Sequence, residues 1–173
     1  TLIDAVAKGN LDLTNVSKIV PLPDTELSGN LVSDLSIKGR VNDISASAID
    51  KFTANGVLES TGLVYKTAEM SEQLKVSKAK LIVRNQKVNI PEFNGKIGSN
   101  DIDFSGKFDN FFGYALGDQT LTGQATLTSE NFNANDFTTE APEGEVAKMT
   151  LIEVPGDVDL DLSTSIKKLK YDD

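Results

Sequence analysis

Residues 100–129 read NDIDFSGKFDNFFGYALGDQTLTGQATLTS, and the fold is decided there. Ile102, Phe104, Gly106 and Phe108 are apolar or bare, and Asp101, Asp103, Ser105 and Lys107 alternate with them. A period of two belongs to a strand with one face covered and one face wet. The aromatics of Phe111-Phe112-Gly113-Tyr114 are too crowded for alternation and predict a turn or a single helical turn. Leu121, Gly123, Ala125 and Leu127 then alternate with Thr122, Gln124, Thr126 and Thr128, so the unit is strand, aromatic corner, strand.

Both strands place a glycine in the apolar phase. Glycine inside a strand is unfavourable by entropy and leaves a hole in the packing. It earns its place by permitting a sharp bend or by letting something approach the backbone closely. Leu27-Ser28-Gly29-Asn30-Leu31 and Ala54-Asn55-Gly56-Val57-Leu58 repeat the arrangement. Gly29, Gly56, Gly106 and Gly123 are therefore the expected points of sheet curvature, with a ligand groove as the sharper alternative.

The same alternation extends outward in both directions. Ile3, Ala5, Ala7, Gly9, Leu11 and Leu13 suggest a first strand, followed by a short helix near Val16 that ends before Pro21. Residues 26–41 form the clearest strand, with Leu27, Gly29, Leu31, Leu35 and Ile37 on one face. At ~3.3 Å per residue it would approach ~50 Å, a length that suits an extended sheet. After a connector with a possible turn near Ile44, Phe52, Ala54, Gly56 and Leu58 continue as a strand. Leu74 and Val76 stand in one phase and Ala79, Leu81 and Val83 in the other, which is what a bulge does. Residues 84–87 suit a hairpin turn, and a second phase change falls at Pro91, which lacks a ladder donor. Both irregularities are expected to shield an exposed sheet edge. Phe132 and Phe137 flank a further short helix or turn, and Val158, Leu160, Leu162 and Ile166 close the chain as a strand. The expected fold is all-β and mainly antiparallel. It is an extended, curved sheet, or an open groove or half-barrel, of about nine strands with two or three short helical turns.

A chain of 173 residues is read as one β domain over residues 1–173. It begins with Thr1, which suggests a piece of a longer protein, and no run approaches the length of a membrane span. The net charge of −9 argues against nucleic acid, whose phosphates need clustered Lys and Arg. It argues equally against adsorption to anionic lipid headgroups. With no Cys and no His, the chain holds no thiolate nucleophile, no Ser-His-Asp arrangement and no zinc site of the usual kind.

What remains for chemistry is sparse. Asp157, Asp159 and Asp161 share one strand face and invite a calcium ion, but such a row spreads over about 13 Å and reads as a solvated face. Residues 131–136 lack the acidic first position and the glycine of a calcium loop. Asp101 and Asp103 lie in a wet phase, with no burial to raise either pKa for acid–base work. The reading is no enzyme, no metal and no cofactor.

Several ordered stretches carry a family resemblance. They are residues 23–39, Ala54-Asn55-Gly56-Val57-Leu58, residues 93–101, residues 104–111, Leu121-Thr122-Gly123 through Ser129, residues 131–136, and residues 154–172. In this order they resemble the C-terminal region of the AsmA-like family of bacterial envelope proteins. That resemblance implies a periplasmic segment of a protein anchored in the inner membrane and linked to outer-membrane assembly. It implies phospholipid carried along an open β-groove, and it transfers no catalytic residue. On this reading Leu27, Leu31, Leu35, Phe52, Leu58, Ile102, Phe104, Phe108, Leu121, Leu127, Leu160 and Leu162 face lipid, and other envelope proteins are possible partners. The alternative is a structural or protein-interaction domain of an envelope assembly whose apolar face is closed as a core. Alternation looks the same in both cases.

Overall fold

The computed structural model describes residues 2–15, 24–40, 53–68, 70, 72–85, 87–116, 119–137 and 157–171. They form one sheet of eight strands in sequence order, with β1 and β8 as its outer strands among the described residues. The strands are β1 (Leu2–Asp12), β2 (Thr25–Arg40), β3 (Thr53–Thr67), β4 (Leu74–Arg84), β5 (Lys87–Ile97), β6 (Asn100–Asp109), β7 (Leu121–Asn133) and β8 (Val158–Lys170). Every neighbouring pair is antiparallel except β7 and β8, which run parallel. Among the described residues helix is confined to α1 (Phe111–Leu116), a 3₁₀ turn at Ala134–Phe137 and the turn at residues 13–15. The expected helical pieces near Val16 and Ile44 lie outside the described residues.

The sheet is open: β1 and β8 do not pair, so it is not a closed barrel. Among the described residues there are eight strands where about nine were expected, and β4 and β5 each run through their change of phase as one strand. The bulges sit where the sequence placed them. Pairing shifts between Val76 and Lys78 on β4, and between Ile90 and Phe93 on β5 around Pro91. Their role differs from the expectation, since β4 and β5 are interior strands and neither bulge shields an edge. Pro91 is tolerated there because a bulge already interrupts the ladder at that point.

The hairpins follow from local chemistry. Asn85 turns β4 into β5 at φ 55°, and Gly98 turns β5 into β6 at φ 57°. Asn tolerates this left-handed conformation better than other non-glycine residues, and Gly adopts it without steric cost. On β3 an extra residue near Gly62 faces Gly29 of β2, whose φ is 114°. A methyl group on Gly29 would lie 2.6 Å from the Gly62 carbonyl oxygen, so the two backbones meet where only glycine fits.

At the far end of the β6–β7 unit the crowded aromatics become α1. Tyr114 N–H donates to Asn110 O at 2.9 Å, and the Phe111 and Phe112 rings meet edge to face with centroids 5.5 Å apart. Both rings pack on the buried cluster of Ala54, Val83 and Val88, together with Leu35, Ile37, Leu81 and Ile90. This is the one compact core among the described residues, and it occupies one end of the sheet.

Candidate functional site: the apolar face

Register turns strand alternation into two surfaces. Followed across the pairing, Ala7, Leu35, Gly56, Val83, Val88, Phe108, Gly123 and Leu160 form one continuous rung from edge to edge. Leu11, Leu31, Ser60, Ala79, Phe93, Phe104, Leu127 and Thr164 form another. The bulges on β4 and β5 keep these rungs in phase, because each slips the strand by one residue where the apolar set would otherwise turn outward.

Of the twelve residues expected to face lipid, Leu27, Leu31, Leu35, Leu58, Ile102, Phe104, Phe108, Leu121, Leu127, Leu160 and Leu162 share this face. Phe52 lies outside the described residues. Sequence reasoning left out Val76, Ala79, Leu81 and Val83 of β4, and Val88, Ile90 and Phe93 of β5. Their signal was the pair of phase changes, which shift these residues onto the same side once the bulges are placed.

The face is only partly covered. Ala54, Val76, Ala79, Val83, Val88 and Ala125 are buried, but Leu27, Leu31, Leu35, Leu58, Phe93, Phe104, Phe108 and Leu127 are half-buried, and Leu162 is 58% exposed. Strands make extensive contact only with their sheet neighbours, and α1 is packed at one end of the face. Among the described residues the half-burial therefore comes from lateral neighbours and not from a second layer. An apolar sheet face normally acquires a second layer as its core.

The glycines on this face are sites of close approach. At Gly56 an added methyl group would run into the Asp34 carbonyl oxygen, and at Gly123 into that of Lys107. Gly106 lies under an aromatic ring, where a methyl group would come within 2.8 Å of Phe108 Cε2 and Cζ. Phe104 and Phe108 stack across this gap with centroids 6.2 Å apart and planes 14° apart. The rings thus fill the hole the glycine leaves. Small polar spots interrupt the face: Ser33 donates to Ala7 O, while the Ser60 and Ser129 hydroxyls are buried without a partner among the described residues.

The opposite face is stitched by charge. Lys8 pairs with Asp34 at 2.9 Å, Lys38 with Asp4, Lys80 with Glu59 at 2.6 Å, Lys78 with Glu92 and Lys87 with Asp109. All are exposed, so each adds little stability, but together they mark the wet side. The Lys80 hydrogen bond holds Glu59 below the usual carboxylate range, and Glu92 raises Lys78 in the same way. Shallow depressions open mainly on this polar side. One of about 510 Å³ is lined by Val64, Lys75, Ser77, Asn94, Lys96, Asp101 and Asp103, among others.

The proposed acid–base and calcium residues resolve into structural roles or solvent. Asp101 accepts the N–H groups of Glu130 and Asn131 at 2.7 and 2.8 Å, and the first of these bonds leads in holding its pKa low. Beside it, fully buried Asn100 donates to Ile97 O and Asp136 Oδ2 and accepts the Asn133 N–H. The two residues tie the start of β6 to the end of β7. Asp159 and Asp161 are exposed on β8, and the described residues contain no group of three acidic side chains placed to hold a metal ion. No helix among the described residues is long and apolar enough to cross a membrane.

Comparison of the chain with protein-family models, curated proteins and solved structures returns no match.

Proposed function

We propose that this chain is a non-enzymatic, AsmA-like segment of the bacterial periplasm that holds lipid acyl chains against its apolar sheet face. In the full protein the segment would be tethered to the inner membrane and take part in outer-membrane assembly. The observation that carries the reading is the largely apolar surface that runs across eight strands, half-exposed and without a second layer among the described residues. Each methylene laid on such a surface gains roughly 0.8 kcal/mol if fully withdrawn from water, so partial contact gives useful affinity without headgroup recognition. Weak, distributed contact suits a conduit, which must release its cargo. The ion-paired opposite face and the net charge of −9 disfavour lying flat on anionic membrane.

A photoreactive phospholipid tests the proposal. Wild type should label along the apolar face, while Phe104→Asp and Leu31→Asp, shown by circular dichroism to remain folded, should lose most of the label. No labelling of wild type, or unchanged labelling of the folded variants, would favour a structural segment whose apolar face is closed by another envelope protein.

A further inference from the structure

Among the described residues β8 is the last strand of the sheet, and its outer edge is self-complementary. On its polar face the first half carries Asp159 and Asp161, with Asp157 beside the strand, and the second half carries Lys167; Lys168 and Lys170 stand in the other phase with Leu162 and Ile166. None of the three aspartates forms an ion pair among the described residues. At the other edge, Asp4 and Lys8 of β1 are already engaged by Lys38 and Asp34. An unprotected edge strand offers a row of backbone donors and acceptors to any strand that can match it.

We infer that β8 pairs antiparallel with β8 of a second copy about a two-fold axis at Thr164, giving a dimer with one continuous sheet. Thr164 is the midpoint of Val158–Lys170, so this register pairs the full strand. It also keeps residues of like phase opposite each other, which both the hydrogen-bond alternation and the continuity of the two faces require. On the polar face Asp161 of one copy then stands opposite Lys167 of the other, with Asp159 diagonal to the same lysine. On the apolar face Leu162 stands opposite Ile166, covering the most exposed leucine of the lipid-facing set. Lys167 holds Glu130 in its own chain, so the partner's Asp161 would complete a three-charge cluster. A parallel arrangement in the same register would set Asp on Asp and Lys on Lys, which is unfavourable. A two-fold contact of this kind closes on itself and stops at two copies. The inference stands on the edge alone and does not depend on lipid binding.

Charge exchange with mixing tests it. Sedimentation velocity at low salt should show wild type dimerising with rising concentration. Asp161→Lys sets two lysines against each other at this pair, Lys167→Asp sets two aspartates against each other, and each clash occurs twice per dimer. Each variant alone should therefore dimerise about ten-fold or more weakly. In an equimolar mixture the heterodimer regains opposite charges at the pair formed between the two wild-type side chains and at the pair formed between the two exchanged ones, so it should form in preference to either homodimer. Circular dichroism confirms that each variant keeps its sheet. Wild type that stays monomeric to millimolar concentration, variants that dimerise as well as wild type, or a mixture no tighter than its components would overturn the inference. So would assembly beyond two copies, which would indicate edge pairing between β1 and β8.

Discussion

Gly106 and Gly123 occupy the same face of adjacent strands, yet an added methyl group would meet different obstacles. At Gly123 it collides with the Lys107 carbonyl oxygen, a backbone atom fixed by the pairing of β6 with β7. At Gly106 it meets the Phe108 ring at 2.8 Å and the Gln124 oxygen at 3.2 Å, and the ring can swing aside. Either Gly→Ala change gains about 0.4–1 kcal/mol by restricting the unfolded chain. Against this, Gly123→Ala incurs an overpacking cost of about 1–3 kcal/mol that only a backbone shift relieves. Gly106→Ala costs chiefly the Phe104–Phe108 stacking, about 0.5–1.5 kcal/mol. The expected outcome is a loss of about 1–2 kcal/mol for Gly123→Ala and a change within about 1 kcal/mol of zero for Gly106→Ala. For a chain of this size the first corresponds to a Tm lower by about 3–6 °C. Urea unfolding followed by circular dichroism measures both. A Gly106→Ala variant as damaged as Gly123→Ala would refute the distinction between a movable ring and a fixed backbone, and equal neutrality would refute close approach altogether.

Three further outcomes follow from the polar groups. Asn100→Ala strips partners from the Asn133 N–H and the Asp136 carboxylate, so a loss of about 1–3 kcal/mol in denaturant unfolding is expected. Asp101 has a folded pKa below its unfolded value, so its stabilising contribution is complete above the unfolded pKa and disappears as pH falls through the folded one. Asp101→Asn should therefore destabilise at neutral pH, with the gap from wild type narrowing in acid when unfolding is measured across pH. Ser60→Ala removes a buried hydroxyl that has no partner among the described residues, and thermal melts should show it neutral or stabilising by up to about 1 kcal/mol.

Strand positions were legible because a covered and a wet face leave a period of two that survives without tertiary information, as Leu27 to Ile37 and Ile102 to Phe108 show. Even the bulges near Lys78 and at Pro91 could be located, since each reverses the phase. Their place within the sheet was not legible, because local sequence gives no count of strands on either side, and this is why they were assigned to an edge. The same gap left Val83, Val88 and Phe93 out of the candidate face, where only register brings them level with Leu35, Phe108 and Phe104. The parallel pairing of β8 was equally silent: Val158 to Ile166 alternates as it would beside an antiparallel neighbour. Whether the apolar face carries a second layer is a property of the whole chain, invisible to alternation.

The account turns on acyl chains occupying that face, and the most direct measurement is the lipid content of the protein purified gently from a bacterial periplasm. Organic extraction followed by mass spectrometry should recover phospholipid in near-stoichiometric amount from wild type, and much less from folded Phe104→Asp. A wild-type preparation free of lipid, or one whose lipid is unaffected by Phe104→Asp, would contradict it.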